Sequence, residues 1–156
     1  MPNRKTHIKI NLILALPLGL ALFYYAFKPV PLLLLLVFLL SFLYNTFVFN
    51  PDLDLARYVR PLSLKGLLIF PFIPYSWFFR HRGLSHSLLW GTSTRVLYLM
   101  LVMFVIYGMW CFLTGAKGDW SYILGMLETK KEIFITVAAA WVYGDIWHIT
   151  LDRCRY

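Results

Sequence analysis

The sequence predicts an all-α integral membrane protein, a bundle of four transmembrane helices plus an interfacial or re-entrant segment. Its 156 residues are 60% hydrophobic and only 14% charged. A soluble domain is about one-half apolar and about one-quarter charged. Four apolar stretches approach or exceed the length needed to cross a bilayer. The residues able to do chemistry lie mostly at the ends of those stretches. The length suits one transmembrane domain over residues 1–156.

The net charge is +8, which argues against basic partners. Nucleic acid is not expected either, because Lys and Arg also collect in cytoplasmic loops and near anionic lipid. The two cysteines, Cys111 and Cys154, make neither a metal spacing nor a disulfide framework. The basic start, Met1 to Lys9, runs into an apolar stretch with no small-x-small cleavage site after it, so it reads as a retained anchor.

The first span covers about residues 10–27. At 1.5 Å per residue it reaches about 27 Å, close to a hydrocarbon core of roughly 30 Å. Pro17 is tolerated inside it with a kink. Lys28-Pro29-Val30-Pro31 makes a tight turn into the second span, 30–49, the most hydrophobic of the four. Asn50-Pro51 ends that span, because a residue before proline disfavours helix, and Asp52-Leu53-Asp54 follows at once. Within the segment of residues about 60–80, Gly66 to Phe79 is apolar but broken by Pro71 and Pro74. The whole reads as an interfacial or re-entrant segment, with Tyr75, Trp77, Phe78 and Phe79 at headgroup level; a fifth crossing is the alternative. The third span is 88–113 and contains one charge, Arg95. Residues 114–131 form a loop. The fourth span is 132–151, with Ala138, Ala139 and Ala140 permitting close helix contact.

Four crossings put both termini on one side. Ten basic residues fall on that side and four on the other, which places both termini in the cytoplasm of a cell (inner) membrane protein by the positive-inside rule. With that topology His7, Asp52, Asp54, His81, His86, His148 and Asp152 meet at one membrane surface. Less specific explanations exist for some of them. His7 beside a basic terminus suits a solvated side chain, Asp-x-Asp after Asn-Pro suits a turn, and Ser87 suits a helix cap. His148 and Asp152 are more specific, because a spacing of four places both on one helix face.

Imidazole and carboxylate without thiolate suit zinc, manganese or iron. The number of candidates is enough for one or two divalent ions, with zinc favoured. Such an ion would activate a water and polarise a phosphoryl or acyl oxygen.

Thr6-His7, Pro51-Asp52-Leu53-Asp54, His81-Arg82-Gly83-Leu84-Ser85-His86-Ser87 and His148-x-x-x-Asp152 together resemble the membrane-bound metal-dependent hydrolases. That family includes the YdjM-like inner-membrane proteins and a related group of metal-binding membrane proteins. The resemblance spans nearly the whole chain, and its His-Arg-Gly-x-x-His-Ser block is the specific part. It implies a metal, a hydrolase activity, and His81, His86, Asp52, Asp54, His148 and Asp152 as ligands.

Arg95 and Asp145 lie outside that resemblance. At helical rise they sit about 12 Å and about 10.5 Å below the same surface. A charge at mid-bilayer needs a partner or a role, so the two are expected to pair beneath the metal; the alternative for Arg95 is snorkelling. The expected activity is hydrolysis of an amphiphilic or phosphoester substrate, for example a lipid. Asp54 or a histidine such as His86 would act as general base, and Arg82 would steady developing charge. The rivals are a non-catalytic metal-binding membrane protein and a metal transporter. A transport site tends to lie at the midplane rather than at a rim.

Overall fold

The first helix, α1, occupies residues 4–26 as Arg4–Ile10, a π-helical turn Asn11–Ala15, and Leu16–Ala26. Pro17 explains the wide turn. Its ring has no N–H and crowds the carbonyl four residues back, and the backbone responds with a five-residue bond from Leu16 N–H to the Asn11 carbonyl. The buried face is His7, Asn11, Ala15, Gly19 and Phe23. A strict four-residue repeat drifts about 40° per step on an α-helix, and the π turn takes back part of that drift. The computed structural model describes residues 4–59, 63–79, 87, 90–118 and 120–153, and no strand occurs among them. Helix α1 begins six residues before the expected start, so His7 is on the helix rather than ahead of it.

Helix α2 occupies residues 32–49 and ends in a second π turn, Asn45–Phe49. Asn50 leaves the helix in an extended conformation and joins it to the 3-10 helix Pro51–Tyr58. Its side-chain amide donates to the Thr46 carbonyl at 3.1 Å, and its side-chain oxygen accepts from the Asp52 N–H at 3.1 Å.

The proline-broken segment forms short pieces: α3 (Leu64–Ile69), a 3-10 turn Phe70–Phe72, and α4 (Tyr75–Phe78). Trp77 and Phe78 are exposed, as expected of headgroup-level residues, but Tyr75 is fully buried. Its hydroxyl shares a hydrogen bond of 3.1 Å with Thr94, and its ring joins Val48, Phe49, Leu53 and Phe72 in one apolar cluster that Phe79 also packs against. The segment therefore leans on the bundle with one face, whereas the sequence suggests all four aromatics at an interface.

Helix α5 (Trp90–Thr114) follows Ser87, whose hydroxyl lies 3.5 Å from the Trp90 N–H and whose carbonyl accepts from Gly91 N–H at 2.7 Å. That is an N-cap pattern. The expected loop 114–131 contains a ten-residue helix, α6 (Trp120–Thr129). Helix α7 (Lys131–Arg153) buries Thr136, Ala140, Gly144, Asp145, His148 and Ile149 along one helical stripe.

Helices α2 and α7 pack together most extensively. Of the expected alanine triplet only Ala140 is buried, and glycines set the closest approaches. A Cβ on Gly144 would lie 2.9 Å from the Asn45 side-chain nitrogen, and one on Gly19 would lie 2.6 Å from the Tyr143 ring. Ala15, Phe23, Phe38, Phe42 and Ala140 form the apolar core between α1, α2 and α7. Four helices, Thr6–Ala26, Leu32–Leu53, Trp90–Thr114 and Lys131–Arg153, are long and apolar enough to cross a membrane. Broad apolar exposure on α5, including Leu97, Met100, Met103 and Phe112, is compatible with insertion into lipid.

Candidate metal centre

His7 lies in the first turns of α1 and His148 and Asp152 in the last turns of α7, and these ends of the two helices are adjacent. His7 and His148 are 7% and 6% exposed, and their ring centroids are 4.9 Å apart. Asp152 reaches both: one oxygen is 3.4 Å from His7 Nε2 and the other 3.5 Å from His148 Nε2. The Asp52 carboxylate stands 3.7 Å from His148 Nε2. One ligand atom each from His7, His148 and Asp152 lie within 4.8 Å of one another.

These separations exceed an ordinary N–H···O hydrogen bond of about 2.7–3.2 Å. The imidazole–carboxylate separations of 3.4, 3.5 and 3.7 Å suit donors that share one ion at about 2.0–2.2 Å. Charge agrees with this. With both imidazoles neutral, as metal ligation requires, the two carboxylates would leave a local charge of −2 for a divalent cation to cancel. The histidines are buried while the side chains of Asp52 and Asp152 are 35% and 20% exposed, so the cluster is closed on the imidazole side and open on the carboxylate side. The cavity beneath it is about 20 Å³, room for one water but far below the several hundred Å³ of a small-molecule pocket. The residues present therefore fit a metal ion.

Asp52 is placed by its neighbour Asn50, which ties the last turn of α2 to the first turn of the 3-10 helix. Asp54 belongs to that same helix, but its side chain is outside what the structure describes. His81, Arg82 and His86 lie outside the described residues. Of the seven expected ligands, the structure brings together His7, Asp52, His148 and Asp152.

A second polar layer lies one to two turns deeper. Arg95 is the largest fully buried side chain among the described residues. It pairs with Asp145 and also donates to the carbonyls of Phe49 and Gly91, while its guanidinium lies 5.1 Å from the Phe49 ring centre. Asp145 accepts in addition from Thr92 and, at 3.2 Å, from Asn45. The expected pair exists, and burial excludes snorkelling. Sequence reasoning missed the neutral members: Asn45 and Thr92 in this layer, and Asn11, Thr46 and Asn50 beneath the histidines. The available signal was asparagine inside an apolar run, at Asn11 and Asn45.

An all-helical protein with four membrane-length helices and a His/Asp cluster at one end of its bundle is, by fold and site, a metal-binding protein compatible with a membrane. The chain belongs to the family described as "Uncharacterized metal-binding protein (DUF2227)", whose model matches residues 2–156. It is also similar to an uncharacterized protein of Aquifex aeolicus (strain VF5), 29% identical over 123 residues that cover 72% of this chain and 85% of that one. No solved structure matches. The family supports metal binding; it supports neither a YdjM-like family nor hydrolysis.

Proposed function

We propose that the chain is a membrane-embedded metal-dependent hydrolase acting on an amphiphilic or phosphoester substrate, for example a lipid, at the cytoplasmic rim of its bundle. The observation that carries this proposal is the asymmetry of the cluster, with buried imidazoles on one side and half-open carboxylates on the other. Catalytic metal sites keep an open position, whereas structural sites close their shell. A bound divalent ion supplies Lewis-acid polarisation of a phosphoryl or acyl oxygen and an acidified water.

The chain's own groups do the rest. His7, His148 and Asp152 hold the ion, and Asp52, kept in place by Asn50, joins them from the open side. Asp54 or His86 accepts the proton from the attacking water, His81 completes the ligand set, and Arg82 steadies charge on the substrate oxygen. The four long helices cross the membrane with both termini in the cytoplasm. One observation favours a non-catalytic metal clasp instead: the described cavity holds no more than a water and offers a substrate no enclosed pocket.

Metal analysis of detergent-purified protein, handled without chelators, tests both. Wild type carries zinc, manganese or iron, and His148→Ala and Asp152→Ala lose it. Metal-free wild type sinks both ideas. The loaded protein is then assayed on amphiphilic esters and phosphodiesters. Turnover that disappears in the two variants supports the hydrolase, and metal without turnover leaves the clasp.

A further inference from the structure

We infer that Asn11 is a positioning residue for His7, acting through a single water held in the cavity beneath the site. This inference rests on the metal proposal above. Asn11 follows His7 by four residues, one turn on, so both lie on one face of α1. Asn11 is 3% exposed, and its Nδ2 donates to Thr46 Oγ1 at 3.3 Å. Its Oδ1 is buried without a hydrogen-bond partner among the described residues, and so is His7 Nδ1. Both residues line the same 20 Å³ cavity, together with Thr46, Asn50, Asp52 and His148.

The two orphaned atoms are complementary. His7 directs Nε2 toward Asp152 at 3.4 Å, so Nε2 is the nitrogen that faces the ion. Its Nδ1 then carries the proton and needs an acceptor. A carbonyl-type oxygen needs a donor. One water satisfies both: it accepts from Nδ1–H, donates to Asn11 Oδ1, and keeps a second hydrogen for another polar group of the cavity wall. Buried waters typically make about three such bonds. A histidine that ligates a metal is fixed in tautomer and ring orientation by the partner of its other nitrogen. Here that partner is a water, and the residue that holds the water is Asn11. Thr46 sets the direction of Asn11 by taking its Nδ2 hydrogen, which leaves Oδ1 for the cavity.

The test uses full-length protein with ¹⁵N-labelled histidine in detergent micelles and zinc titration against a chromophoric chelator. In zinc-loaded wild type, His7 Nδ1 carries a hydrogen protected from solvent exchange. Asn11→Asp keeps an acceptor, and its Thr46 contact survives with the hydroxyl donating, so protection and zinc affinity persist. Asn11→Leu loses the protection and weakens zinc by roughly 10–100-fold, with the thermal midpoint of the metal-free protein little changed. A zinc affinity in Asn11→Leu equal to wild type, or zinc bound through Nδ1, overturns the inference. So does an unprotected Nδ1–H in wild type, which needs no variant to fold. If wild type takes up none of zinc, manganese and iron, the metal proposal fails and the bridge is judged separately. Nδ1–H protection is then compared in wild type and Asn11→Leu at acidic pH, where both ring nitrogens are protonated.

Discussion

Arg95 and Asp145 illustrate how single residues are tied down inside an apolar bundle. The guanidinium has two backbone carbonyls and a carboxylate, and the carboxylate has Thr92 and Asn45 besides. Removing one partner of such a buried pair leaves an uncompensated charge, at about 3–5 kcal/mol. Arg95→Ala should therefore lower the thermal midpoint sharply in detergent. Arg95→Met combined with Asp145→Asn should recover part of the loss, because the amide that replaces the carboxylate is neutral and its oxygen still accepts. A double variant no better than the single one would contradict this account. The pair was legible in the sequence because two charges at equal depth in apolar helices have few partners available. The asparagines and threonines around them were not, since a neutral polar residue does not announce its partner and helix rotation decides which way it faces.

Among the elements, the junction at Asn50-Pro51 does most to shape the candidate site. Asn50→Ala removes one bond at the end of α2 and one at the start of the 3-10 helix. Loss of a cap of this kind costs about 0.5–2 kcal/mol. Metal affinity should fall as well, because Asp52 loses its anchor, and calorimetric titration set beside a melt separates the two effects. Gly144→Ala should also destabilise, since its Cβ would press on the Asn45 amide at 2.9 Å and push α2 from α7; an unchanged midpoint would show that the contact yields freely. The long helices were readable from length and hydropathy, within a few residues at most boundaries. Helix α6 was not, because ten residues cannot span a bilayer and its polar flanks resemble a loop. Nor was the burial of Tyr75, since Pro71 and Pro74 hide the segment's pattern and only its place in the cluster with Val48, Phe49 and Leu53 reveals which face turns inward.

For the whole molecule, the candidate ion joins α1 to α7 and should stabilise the bundle as a ligand does. An ion at about 1,000 times its dissociation constant adds roughly 4 kcal/mol, so chelation should lower the melting midpoint reversibly. The sign with pH follows from the ligands. Imidazole binds metal only when neutral, so loading should fall as pH drops through the imidazole range and return on raising it, measured by metal content after desalting. A midpoint indifferent to chelator would mean that the ion does not bridge the helices. The convergence of His7, Asp52, His148 and Asp152 was legible because each lies near the end of a helix and the helices alternate in direction. Which nitrogen and which oxygen face one another was not, because that depends on side-chain rotation. The placement of His7 and His148 also has a consequence for biogenesis. During synthesis the donor on α1 emerges long before its partners on α7, and no metal can be captured between them until α7 has been made. Metal uptake therefore reports on the presence of α7, and a chain truncated before α7 would lack this binding site.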